Sequence, residues 1–166
     1  MTNICFQRIK DERVFLGGDN ADYYVLARSI AMGEGFSNVS TPDSPPGNHF
    51  PPGYPFLLAT AMKLGVSDLT TLTWLNGLFL WGALMLLFVV FRRWSGDVWL
   101  AALTVLLCMF NAHLLQYATI MMSEVPYLLC LAVVLFAYGG YLRDPDGPRR
   151  WHWLALIVVA SVLMLY

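Results

Sequence analysis

Between Leu69 and Leu142 the chain carries only four charged residues, Arg92, Arg93, Asp97 and Glu124. A soluble domain is not built that way, because each of its helices turns a charged or polar face to water. Composition agrees. Of 166 residues 58% are hydrophobic and 13% charged, against roughly 25% charged in a typical soluble domain. Ten Lys+Arg against eleven Asp+Glu leave a net charge of -1. That balance excludes a basic nucleic-acid binder, an acidic disordered tail and a charge-steered soluble enzyme. The fold class expected is an all-α polytopic membrane protein.

Uncharged stretches of about 20 residues are long enough to cross a bilayer. Leu69–Phe91 is the first such span, Val98–Met122 the second and Val125–Leu142 the third. Trp151–Tyr166 is a fourth, still apolar at the last residue and so expected to be cut short. The apolar run from Tyr54 to Leu64 is too short to cross and suits an interfacial helix. Cys5, Cys108 and Cys130 match no metal knuckle. The last two sit in apolar runs and are read as small buried residues.

Basic residues orient the set. Arg92 and Arg93 close the first span, and Arg143, Arg149 and Arg150 follow the third. The positive-inside rule places both groups in the cytoplasm. The turn at Ser123–Glu124 and the loop Gly17–Pro52, with Asp19, Asp22, Glu34 and Asp43, then lie outside. Trp74, Trp94, Trp99, Trp151 and Trp153 fit an aromatic belt. Residues 1–16 carry Arg8, Lys10, Asp11, Glu12 and Arg13 and lack the apolar core of a signal peptide. Their outer placement calls for a preceding span, so the chain is expected to be a piece of a larger membrane protein, inactive by itself. The expected division is a segment 1–18, an outer loop 19–68, and spans over 69–166.

The outer loop is the informative region. Asp19 or Asn20 can cap a helix over residues 20–32. Tyr23, Leu26, Ala27 and Ile30 form its apolar stripe, and Gly33 or Gly35 stops it. Pro45, Pro46, Pro51, Pro52 and Pro55 stiffen the approach to a second short helix over 54–64. Both helices are expected at the membrane surface.

An ordered set of motifs runs through this region. Gly18–Asp19 is followed by Tyr23, Ala27–Arg28, Gly33-x-Gly35–Phe36, and Pro51–Pro52–Gly53–Tyr54–Pro55. A Leu75–Asn76–Gly77–Leu78 span then ends in Arg92–Arg93, and Met122–Ser123–Glu124–Val125–Pro126–Tyr127 follows. Over Gly17–Tyr138 this set resembles the start of the polytopic C-type (GT-C) glycosyltransferases. Those include the protein O-mannosyltransferase-like and lipid A aminoarabinose transferase-like families. The resemblance implies a GT-C-like helix bundle, truncated here. It implies transfer of a sugar from a polyprenyl-phosphate carrier to a lipid, glycan or protein acceptor, at the outer face of a bacterial plasma membrane. The partners implied are that carrier and membrane lipids, with no nucleic acid. As cofactor it admits a divalent metal ion.

On that resemblance Asp19 matches the catalytic base that takes the acceptor's proton, and Asp22 is the alternative. The plainer roles are a helix cap for Asp19 and a helix-dipole acid for Asp22. Glu124 would hold a metal ion or orient the donor, with His49 as a second ligand. Arg28 would meet phosphate or simply snorkel. Tyr54, His113 and Gln116 are assigned to substrate, and His113, Gln116 and Tyr117 share a helical face. Hydrogen bonding between spans is the plainer use of that face. Asn38–Val39–Ser40 is a glycosylation sequon. A transporter or a non-catalytic membrane protein is the alternative function. A transporter would carry mid-depth charges or Gly/Pro-broken spans, and none is apparent in the sequence.

Overall fold

The computed structural model describes residues 18–38, 40, 46–47, 49–66 and 68–165. The charged segment 1–17, Cys5, Asp43, Pro45 and Val39 of the sequon lie outside these. The described residues form helices α1 (Asp19–Met32), α2 (Gly53–Lys63), α3 (Leu69–Ser95), α4 (Val98–Met109), α5 (Ala112–Ala118), α6 (Glu124–Arg143) and α7 (Arg150–Leu165). No strand occurs among them. α3 and α6 are each long and apolar enough to cross a membrane, and α4 with α5 make a third crossing if counted as one bent span. The chain is a helical membrane protein on that ground.

α3 and α6 run side by side and start at the same end. Along α3 the buried positions Thr73, Asn76, Leu80, Ala83, Leu87 and Val90 step by alternating threes and fours, the seam of a helix packed lengthwise on another. α6 meets its neighbours through small residues, with Ala132, Ala137 and Gly140 buried. Small side chains let helices approach closely, and contact between them is what binds helices in lipid. A Cβ on Gly139 would come within 2.9 Å of Trp94 Nε1, and one on Gly140 within 2.7 Å of Trp153 Cε2. This adjacent pair thus admits one indole from α3 and another from α7. Trp74, Trp94, Trp99 and Trp151 are exposed, whereas Trp153, also assigned to the belt, is half-buried against Gly140.

α1 and α2 are too short to span, about 21 Å and 16 Å at 1.5 Å per residue. α1 begins one residue earlier than expected and ends at Gly33, whose φ of 82° is left-handed. Tyr23, Leu26 and Ala27 are buried as the stripe required. The two helices join Leu72 and Met121 in one core, with Tyr23, Ala27, Tyr54, Leu58 and Ala59. Fully burying a leucine such as Leu58 is worth roughly 1.5–3 kcal/mol against water. Helices this short are marginal alone and take their stability from that core. Pro55 of α2 and Pro126 of α6 both sit in a first turn, where the missing N–H would have had no helical partner.

Two expectations are corrected. Residues 98–122 are not one straight span: α4 and α5 are bent by 66° at a break after Met109. The cause is Asn111, whose backbone is extended and whose Oδ1 accepts from the N–H groups of His113 and Leu114 at 3.0 and 3.2 Å. That is a helix start, written where continuity was expected. After α5 the chain leaves the helix altogether until Ser123. Cys108 and Cys130, expected buried, are free thiols only half-buried.

Candidate functional site

The irregular stretch 119–123, which follows that break and α5, is where α1 and α2 dock. Asn76 organises it. This amide is 0% exposed in a span without charge. Its Nδ2 faces the carbonyl oxygens of Tyr117, Ile120 and Met122 at 3.2, 2.7 and 2.9 Å, and its Oδ1 accepts the Tyr54 hydroxyl at 3.0 Å. From the other side the Met121 N–H donates to Asn20 Oδ1 at 2.8 Å. Asn20 is 2% exposed. Two buried amides, on α1 and α3, therefore supply polar partners to a loop that has lost its helical ones, as burial demands.

Tyr23 stands at the centre. Its ring packs edge-on to Tyr54, centroids 5.1 Å apart, and 4.9 Å from Phe50. Its hydroxyl lies 2.9 Å from Ser123 Oγ. Burial pushes the Tyr23 phenol above its ordinary value, the bond to Ser123 opposes this, and the carboxylates of Glu124 and Asp19 push it further up. Both carboxylates thus act on one hydroxyl, although 105 positions separate them in sequence. Burial likewise raises the Tyr54 phenol strongly, against the bond to Asn76, with Tyr23 and Glu124 adding to the rise. Both phenols stay protonated at neutral pH.

Asp19 and Glu124 are exposed, and neither is in an ion pair among the described residues. Neither Asp19 nor Asn20 is the cap of α1. The cap position is Gly18, without a side-chain bond. Asp19 is the first helical residue and Asp22 lies one turn on, half-buried. Their carboxylates suit the positive end of the helix. Glu124 likewise opens α6.

The remaining sequence candidates are dispersed. Arg28, nine residues past Asp19, is roughly 13 Å along the helix and about half a turn round it, and is exposed. His49 is exposed and stacks edge-on against Phe50, 5.0 Å between centroids. His113 and Gln116 are exposed on α5, while Tyr117 packs toward Leu80, Leu84, Val105 and Val125. Tyr54 is 5% exposed, and its hydroxyl is committed to Asn76. Among the described residues no three His, Cys, Asp or Glu side chains come together as a metal site. Glu124 and His49 therefore do not make a metal centre with any described third ligand.

Asn76 and Asn20 escaped functional notice in the sequence. The signal for Asn76 was present, since a lone amide inside an uncharged span needs partners. Asn20 gave no such signal, being one more polar residue at a helix start. The chain matches no family model, no characterised protein and no solved structure.

Proposed function

We propose that the protein is a membrane glycosyltransferase of the GT-C kind, moving a sugar from a polyprenyl-phosphate carrier to a hydroxyl acceptor at the membrane's outer face. The observation that carries this is the 2.9 Å contact between the Tyr23 hydroxyl and Ser123 Oγ, which brings the first turns of α1, where Asp19 lies, up to the residue that precedes Glu124. Two motifs far apart in sequence, each matched to that family, meet at one end of the bundle. The short helices α1 and α2 and the aromatic cluster would wall the outer side of such a site.

In this reading the acceptor oxygen attacks the anomeric carbon and the bond from that carbon to the phosphate oxygen breaks. The acceptor proton passes to the Asp19 carboxylate, and polyprenyl phosphate leaves. Asp19 suits the base role because it is exposed and not ion-paired among the described residues. Glu124, an anion near a leaving anion, is better suited to accept hydrogen bonds from sugar hydroxyls than to meet phosphate.

A transporter is the second reading, and the 66° bend between α4 and α5 favours it, since broken spans commonly line transport sites. Against it, the carbonyls of Tyr117 in the last turn of α5 and of Ile120 and Met122 beyond it face Asn76 rather than a cavity. The test is transfer from a polyprenyl-phosphate-linked sugar by membranes carrying the protein. Loss of transfer in Asp19→Asn with expression unchanged is expected. Undiminished transfer in both Asp19→Asn and Glu124→Gln would remove the basis for the assignment.

A further inference from the structure

The opposite end of the bundle carries chemistry that the carboxylate pair does not use. There the C-terminal turns of α3 and α6 bring two arginines together, Arg143 Nη2 donating to the Arg93 carbonyl oxygen at 3.2 Å. The Arg93 guanidinium lies 4.4 Å from the centre of the Phe136 ring, a cation–π contact that holds its plane. Between the helices is a shallow crevice whose enclosed space is only about 10 Å³ and which opens to the surroundings, so a bound group would sit at its mouth rather than inside it. Arg93, Arg143 and Trp94 line it together with the apolar Val90, Leu135 and Phe136. Gly139 gives it what depth it has, because any side chain there would meet the Trp94 indole nitrogen. That N–H has no hydrogen-bond partner among the described residues.

No carboxylate lines the crevice. Neither arginine is ion-paired among the described residues, where the pair formed is Arg150 with Asp146. The nearby acids are directed elsewhere: Asp97 caps α4 through Trp99 and Leu100, and Asp144 turns toward Gly147. We infer that this crevice binds the phosphate of an anionic glycerophospholipid. Two guanidinium groups offer the forked donor geometry that phosphate oxygens accept, and the indole N–H adds a third donor. The apolar wall continues along helices long enough to cross a membrane, which fits an acyl chain. Free phosphate would use the donors and leave the wall idle. Basic pockets between spans are a known way of holding lipid headgroups. The inference is independent of sugar transfer.

The experiment reconstitutes the full chain in nanodiscs of phosphatidylcholine and phosphatidylglycerol, and measures retained lipid by native mass spectrometry after extraction. Phosphatidylglycerol should be favoured by about fivefold per arginine, hence about thirtyfold for the pair. R93Q/R143Q should erase the preference and W94F should weaken it. R149Q/R150Q, outside the crevice, should leave it intact. R93K/R143K keeps charge without the fork and should retain only part of the preference. If R93Q/R143Q loses its helicity by circular dichroism, the lysine and W94F variants decide. Equal retention of both lipids by the unaltered protein, or a preference lost only in R149Q/R150Q, would overturn the inference. Complete displacement of the lipid by inorganic phosphate would overturn its choice of source.

Discussion

The Tyr54 hydroxyl donates to Asn76 Oδ1 across 3.0 Å in a fully buried setting, joining the short helix α2 to the first long span. The same amide reaches the loop at 117–122 with its nitrogen. Asn76→Leu keeps the volume and removes every one of these bonds. Buried polar groups left without partners cost about 1–3 kcal/mol each, so a loss of about 3 kcal/mol or more is expected in detergent unfolding. Asn76→Asp keeps an acceptor for Tyr54 but sets a buried carboxyl oxygen against three carbonyls, and should cost at least as much at neutral pH. A Leu variant as stable as the parent would show that the loop finds its partners elsewhere.

Tyr23 and Ser123 can be tested as a pair. Tyr23→Phe and Ser123→Ala should each cost about 0.5–1.5 kcal/mol. The double variant should cost clearly less than their sum, because both remove one bond. Strict additivity in this cycle would mean the 2.9 Å contact contributes nothing.

Alkaline pH should weaken the fold. Tyr54 and Tyr23 are both held above the ordinary value of 10.0. Above pH 10 the unfolded chain gives up these protons while the folded chain keeps them, so stability declines with rising pH. Below pH 10 the contribution is fully present. Tyr54→Phe should flatten the decline above pH 10 and leave the neutral range nearly unaffected by titration. A parent protein of constant stability across pH 10–11.5, followed by thermal unfolding in detergent, would contradict this.

Asp19 and Asp22 are separable as bases. Removal of a general base typically costs about 10²–10⁴-fold in rate. Asp19→Asn is expected to show such a loss and Asp22→Asn less than about tenfold, since Asp19 is exposed to an incoming acceptor while Asp22 is half-buried. The reverse order in a transfer assay would move the base one turn along α1.

Sidedness is open to labelling. Cysteine at Glu34 should react with an impermeant reagent in intact cells, and cysteine at Asp146 should be protected. The opposite pattern would invert the orientation and put the carboxylate pair inside.

The long elements were legible because lipid imposes one rule over many residues. An uncharged stretch as long as Leu69–Phe91 has few alternatives to a spanning helix, and α3 and α6 appear with ends shifted by only a few residues. The stripe Tyr23–Leu26–Ala27 was readable for the same reason, being periodic. The break at Asn111 was not, because hydropathy averages over it and one side-chain oxygen decides it. The candidate site was legible only in its two ends, Asp19 and Glu124. The docking of α1 beside the start of α6 depends on Asn20 gripping Met121 and Asn76 gripping the loop, contacts with sequence separations that no local pattern encodes. Tyr54 illustrates the limit: a motif tyrosine assigned to substrate has its hydroxyl engaged by Asn76.

The grip of Asn76 on the loop also sets an order of events at the ribosome. Asn76 is synthesised some forty residues before Tyr117, Ile120 and Met122, whose carbonyls its amide nitrogen faces. α3 therefore enters the bilayer with an amide nitrogen still lacking those partners, a costly state in hydrocarbon. The newborn helix is expected to wait near the interface, or against other protein, until the second hydrophobic stretch arrives. The break after Met109 then delivers the carbonyls that an unbroken span would have kept for itself. Insertion of the two stretches is in this way a joint act, and a chain released between them would be left with its first span unfinished.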